Sequence, residues 1–270
     1  MSDVEWAIRM AQAMEILRVP GLRAAIETLG LPTGSRGLDA GCGPGLQTLL
    51  LKEATGPESE VVGLDISPEM LARAREIVAD AGLSERVSFR EGSVDDLPFA
   101  DDSFDWAWSV DCVGYAPMEP LPLVKQLARV VRPGGTVAIL AWSSERLLPG
   151  YPALEARLSA TSAGIAPFVE GKDPAAHFPR ALGWLRAAGL EDATAATFAG
   201  GACAPLSADA RTALAALLEM RWPGVESELS AEDWKEHQRL CLPDSTDFIL
   251  DDPDYYAFFT VSMFYGKVGA

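Results

Sequence analysis

Residues 38–45 read Leu-Asp-Ala-Gly-Cys-Gly-Pro-Gly, an apolar run that ends in an acid and then breaks into three alternating glycines. Residues 46–54 follow with helical composition. A strand, a glycine turn and a helix start, in that order, make a pocket for the polar tail of a nucleotide-like ligand. Glycine lets the backbone turn sharply and lets a ligand approach it without a Cβ in the way. The free N–H groups of the helix start attract negative charge. Two common phosphate loops do not fit. A dinucleotide fingerprint starting at Gly41 needs glycine where Leu46 stands, and a P-loop needs a lysine, which the stretch from Gly34 to Leu51 lacks. A second acid, Asp65, closes the run Glu-Val-Val-Gly-Leu-Asp. It lies about twenty residues beyond the loop, a spacing that suits a carboxylate accepting both hydroxyls of a ribose. Ser67-Pro68-Glu69 also reads as a helix start, which Asp65 would cap.

The pattern Asp39-x-Gly41-x-Gly43-x-Gly45 resembles the first motif of class I S-adenosylmethionine-dependent methyltransferases. The full stretch is similar to that of their small-molecule branch, which includes quinone-biosynthesis C-methyltransferases. The resemblance implies a doubly wound α/β fold, Rossmann-like, with a seven-stranded and mostly parallel sheet. The last strand would be antiparallel, and helical cap insertions would be added. The implied cofactor is S-adenosyl-L-methionine. Asp39 would lie near its methionyl ammonium, with Gly41, Cys42, Gly43 and Gly45 along its polar tail. Asp65 would hold the ribose, and Ile66 would pack on the adenine face. Met70, in the next helix, either lines the adenine pocket or belongs to the core. Residues 92–99 resemble the third motif, with Ser93 where relatives often carry an acid for the adenine amino group. The Ser93 hydroxyl or Asp95 would take that part, and the Val94 N–H would meet the ring. Val110 ends the fourth strand beside the cofactor.

Methyl transfer is an in-line displacement, so the protein supplies position and excludes water. Transfer to oxygen benefits from a base, whereas an activated carbon acceptor needs one less. The candidates are Asp111, His237 and Tyr115, with His177 weaker. Asp111 and Tyr115 follow the fourth strand at its carboxyl end, where open α/β sheets bind ligands. Alternatively, Asp111 caps a turn and Tyr115 packs beneath an insertion. Both histidines are equally readable as surface residues. The expected function is methylation of a small, hydrophobic or aromatic metabolite at oxygen or carbon. The alternative is an adenosyl-cofactor-binding protein of the same fold that senses, or that catalyses a non-methyl reaction such as a cyclisation.

The four cysteines are scattered without a C-x-x-C pair, and neither histidine stands at ligand spacing, so no metal is expected. The net charge of −17 argues against nucleic acid as a partner. No apolar run approaches the ~20 residues of a membrane span. The acidic start lacks a basic n-region, which points to the cytoplasm. Nothing in the pattern specifies an oligomeric state.

The elements that must position these groups follow from periodicity and breakers. Helices are predicted over 4–18 and 22–29, parted by Pro20-Gly21, and over 68–81, 121–131, 152–160 and 179–188. Strands are predicted over 35–40, 60–65, 86–90, 103–110, 136–142, 191–198 and 256–268. Residues 1–30 form a helical lid touching the pocket through Trp6 and Arg9, or else pack on the sheet edge. Residues 31–142 form the cofactor-binding core, completed by 177–204 and 253–270. Residues 143–176 and 205–252 are first and second cap insertions, the latter mostly helical and holding Trp222, Trp234 and His237. Trp142, at the end of strand five, floors an aromatic pocket or fills the core.

Overall fold

A computed structural model describes residues 3–115, 118–168 and 171–269. Its seven strands are β1 (Arg36–Ala40), β2 (Glu60–Asp65), β3 (Val87–Glu91), β4 (Phe104–Val110), β5 (Val131–Arg146), β6 (Leu190–Cys203) and β7 (Tyr256–Val268). They form one sheet in the order β3-β2-β1-β4-β5-β7-β6. The first five pair in parallel, while β7 runs antiparallel to both β5 and β6. The order reverses at β1, and the glycine loop leaves the carboxyl end of that strand, which is where such sheets bind ligands.

Nine α-helices cover the sheet and build the cap among the described residues: α1 (Asp3–Leu29), α2 (Leu46–Thr55), α3 (Pro68–Asp80), α4 (Pro120–Val130), α5 (Pro152–Ser159), α6 (Ser162–Ile165), α7 (Ala181–Ala187), α8 (Ala208–Arg221) and α9 (Ala231–Cys241). None is long and apolar enough to cross a membrane. Strand alternation sends Leu38 and Ala40 to the face covered by α4 and α7, where Leu123, Leu127 and Leu185 meet them. The opposite face carries Trp106 and Trp108 against Leu22, Ile26 and Leu51 from α1 and α2. Both indoles are 1% exposed; burying each contributes about 4–6 kcal/mol of hydrophobic free energy. Each also finds an acceptor, Ser35 Oγ for Trp106 at 2.9 Å and Gln47 Oε1 for Trp108 at 3.3 Å.

Two expectations change. The break at Pro20-Gly21 does not occur, and α1 runs through Pro20. A proline inside a helix forfeits one hydrogen bond, but here both halves are anchored. Met14 and Leu17 pack into the cap core, while Leu22, Ala25 and Ile26 pack on the sheet. The alternation also does not stop at Trp142 and Phe198. β5 continues to Arg146 and β6 to Cys203, both paired along β7. The extended ends carry the cap, because Ala257 and Phe259 share a core with Leu217, Trp222 and Leu240.

Candidate active site

The loop after β1 owes its shape to three glycines in the left-handed region, Gly41, Gly43 and Gly45, with φ of +79°, +51° and +79°. Their surroundings differ. A Cβ on Gly45 would lie 2.8 Å from the Cβ of Ala74, and one on Gly41 would lie 2.9 Å from Cys112. A Cβ on Gly43 would meet nothing within 4 Å, so this peptide faces open space. Gly41 and Cys42 both donate to the Leu64 carbonyl, at 2.8 and 2.9 Å, which clamps the loop to the end of β2. Cys42 turns its side chain inward against Gly63 and is buried. Burial raises its thiol pKa, so Cys42 can offer a ligand only backbone.

Asp65 ends β2 with both carboxylate oxygens aimed at backbone. Oδ2 accepts from Gly43 N at 2.8 Å and Oδ1 from Ser67 N at 2.9 Å. The helix-cap role belongs instead to Ser67, whose Oγ accepts from Met70 N at 3.2 Å. Beside Asp65, Ile66 is 71% exposed, an aliphatic side chain held in water at the mouth of the loop. The turn after β3 adjoins it, because Gly92 N donates to the Asp65 carbonyl at 3.0 Å. In that turn Ser93 is half-buried, Asp95 is exposed and the Val94 side chain is in the core. Met70 is half-buried in the first turn of α3, and Val110 is buried at the end of β4.

Asp39 points toward α2 and is 1% exposed. Its Oδ2 accepts from the Thr48 hydroxyl at 2.6 Å. Burial pushes its carboxyl up to about 7, against the pull of that hydroxyl, and the nearby acids Asp65 and Glu15 add to the rise. Above it lies α1. Glu15 Oε1 accepts from Gln47 Nε2 at 3.1 Å. Glu15 Oε2 and Arg18 Nε are buried without a hydrogen-bond partner. Burial also raises the Glu15 pKa, with Arg18 and Gln47 opposing. The α1 groups that reach this region are thus Glu15 and Arg18, two to three turns beyond Trp6 and Arg9. Arg9 is exposed and faces Glu219 of α8 at 3.9 Å. Glu15 and Arg18 carry no motif and escape sequence reasoning; only their three-residue spacing on one helix face hints at them.

Under the cap, bordered by Arg18 of α1 and by Gly114 and Tyr115 after β4, opens a cavity of about 590 Å³. Its apolar wall includes Met14, Tyr115, Trp142, Phe168, Phe178 and Met220. Trp142 stacks on Phe259 with centroids 4.8 Å apart, so it is both core and floor. Arg221 of α8 fastens the cap to β5. Its Nε pairs with Glu145, and its terminal nitrogens donate to the carbonyls of Ala163 and Gly164 at 3.0 and 2.8 Å.

The candidate bases are placed differently from one another. Asp111 has φ +49°, with Oδ1 accepting from Trp142 N at 3.0 Å and Oδ2 2.6 Å from Arg18. Oδ1 is hydrogen-bonded, whereas Oδ2 meets Arg18 as an ion pair without hydrogen-bond geometry, so Asp111 braces two elements and keeps one oxygen open to a further donor. Tyr115 lines the cavity but donates its proton to the Trp142 carbonyl at 2.6 Å, and burial raises its pKa. His237 is 6% exposed in the cap core, stacked on Trp234 at 5.0 Å, and is not among the cavity's walls. The expectation for His237 therefore gives way to His177, which does line the cavity. Among the described residues no group of three or more His, Cys, Asp or Glu could hold a metal ion.

The methyltransferase domain family matches residues 38–135. The 27-O-demethylrifamycin SV methyltransferase of Amycolatopsis mediterranei is 33% identical over 170 residues, 62% of this chain and 58% of that protein. The demethylmenaquinone methyltransferase of Bacillus velezensis is 34% identical over 122 residues, 45% of this chain and 52% of that protein. The matches thus span little more than half the length of these two relatives. Among solved structures, a SAM-dependent methyltransferase from Aquifex aeolicus superposes with a TM-score of 0.53 at 22% identity, covering 70% of this chain and 89% of that one. Residues 38–135 are a methyltransferase domain of the class I, Rossmann-like type, related to that of the quinone methyltransferases.

Proposed function

We propose that this chain transfers a methyl group from S-adenosylmethionine to a small molecule held in the cavity under the cap. The observation that carries the reading is the Gly43–Asp65 hydrogen bond, which sets a carboxylate beside an open glycine peptide and an exposed Ile66. Asp65 retains lone pairs for two ribose hydroxyls, and Ile66 gains apolar cover from an adenine face. Ser93 and Asp95 stand at the neighbouring strand end. Glu15 Oε2 and Arg18 Nε, orphaned in the protein alone, match the ammonium and carboxylate of a methionyl group. When bound, the cofactor supplies an electrophilic sulfonium methyl.

The chain's own part is position. Asp111, braced by Arg18 and the Trp142 N–H, fixes the end of β4 next to Tyr115. Tyr115, tied to the Trp142 carbonyl, shapes the wall where acceptor and donor meet. α1 covers the site and excludes water. For a hydroxyl acceptor, His177 is the imidazole on the cavity wall and the candidate base. An acceptor acidic in its own right needs no base.

Calorimetric titration with S-adenosylmethionine and S-adenosylhomocysteine tests the reading. Micromolar binding of both is expected, and Asp65→Ala should weaken it by roughly 1–3 kcal/mol. Failure of both ligands to bind refutes the function; unchanged affinity in the variant refutes the role of Asp65 alone.

A further inference from the structure

The cavity's charge is opposite to that of the chain. The protein carries a net −17, yet among the described residues the walls hold Arg18, Arg146, Lys172 and Arg221 against one carboxylate, Glu145. Two of the cations are committed. Arg221 spends its nitrogens on Glu145 and two carbonyls, and Arg18 pairs with Asp111. Among the described residues, neither Arg146 nor Lys172 has a carboxylate within salt-bridge distance, although Arg146 lies close enough to Glu155 to pull its pKa down against burial, and the one side-chain hydrogen bond of Arg146 runs from Nη1 to the Glu145 carbonyl at 2.7 Å. Arg146 is exposed and Lys172 half-buried, so the two stand toward solvent, in front of the apolar wall. A cation beside a low-dielectric recess attracts an anion more strongly than one on open surface, and a concave site focuses its field.

We infer that the cavity takes a small amphipathic acid, with its apolar body against Phe168, Phe178 and Met220 and its carboxylate held by Lys172 and Arg146. The inference rests on the cavity being the acceptor pocket of the proposed methyltransferase. In this arrangement the carboxylate is an anchor, and the atom to be methylated belongs to the apolar body turned toward Tyr115. A neutral molecule of the same shape would fill the wall and leave both cations facing water, gaining nothing from them. An excess of carboxylates on the rest of the surface disfavours anions elsewhere, so the preference is local to this mouth.

Two fluorescent probes with nearly the same apolar body separate the terms: 8-anilinonaphthalene-1-sulfonate, an anion, and N-phenyl-1-naphthylamine, which is neutral. Each is titrated into the full chain with saturating S-adenosylhomocysteine. The anion should bind about ten-fold more tightly, the worth of one charge-assisted contact. The Arg146→Met/Lys172→Met double variant should lose that preference while keeping its melting temperature and its affinity for the neutral probe. Equal affinities in the wild type would overturn the inference. So would a preference that survives in the double variant, or an equal weakening of both probes. If S-adenosylhomocysteine does not bind while the charge preference holds without it, the methyl-transfer reading fails and the anion-selective cavity stands.

Discussion

Arg18 of α1 and Asp111 just past the end of β4 lie 2.6 Å apart, and this contact joins the covering helix to the carboxyl edge of the sheet. Each side chain is 19% exposed, between the surface pairs that contribute almost nothing and the buried pairs that are costly to break. Arg18→Met should destabilise the chain by about 1–3 kcal/mol, with Asp111→Asn losing much of the same energy. A double-mutant cycle in urea reads the shared part. Strictly additive effects would mean that the pair does not hold α1 in place.

Two glycines of one loop should respond differently to the same methyl group. Gly45→Ala suffers both a φ of +79° and a Cβ driven to 2.8 Å from Ala74, for a loss of about 2–4 kcal/mol. Gly43→Ala has open space and bears only the cost of its left-handed backbone, about 1 kcal/mol. It should nonetheless weaken S-adenosylhomocysteine strongly, because its Cβ enters the space left for the ligand. Chemical denaturation ranks the two in stability and calorimetry ranks them in affinity. If the rankings coincide, the open face of Gly43 is not the ligand's.

Asp39 should couple ligand binding to a proton. Burial pushes its carboxyl up to about 7, so near neutral pH a large fraction of the free protein holds the acid protonated. An ammonium brought close favours the carboxylate and expels that proton. Titrating S-adenosylhomocysteine at pH 7 in two buffers of different ionisation enthalpy should show net proton release, which Asp39→Asn abolishes. Equal release in the variant would assign the proton to another buried acid, with Glu15 the first to test.

His237 should make the cap sensitive to acid. Burial lowers its pKa below 6.5, and neither ring nitrogen has a partner. As pH falls below about 6.5 the unfolded chain takes up a proton that the folded chain refuses. The stability contributed by the neutral ring is therefore complete above 6.5 and declines as pH falls toward the folded value. His237→Phe, which keeps a ring against Trp234, should flatten that decline between pH 7.5 and 5.5. Parallel curves for the two proteins would count against it.

The sheet and the glycine loop were readable because short-range rules govern them. Alternation located the buried strands, and the glycine spacing with Asp39 and Asp65 located the loop. β2 and β7 match their expected bounds, 60–65 and 256–268, because a breaker stands at each end. What was not readable depends on long-range packing. Pro20 signals a break that two separate cores override. The ends of β5 and β6 are polar or glycine-rich, and only their pairing to β7 makes them strand. The choice between His177 and His237 is set by how α9 docks, which no local pattern records.

β5, β6 and β7 each run through two cores. Near Ile139 and Phe264 they complete the methyltransferase sheet, while at Phe259 and Ala257 β7 becomes the underside of the cap. Anyone wishing to graft this cap onto a relative to change its acceptor would find no clean seam at the ends of 205–252. Moving those residues alone would strip the cover from Phe259 and take from Met14 and Leu17 of α1 the α8 part of their core. The transplantable piece is discontinuous in sequence and contiguous in space: the first half of α1, the outer ends of the three strands, and the helices that rest on them.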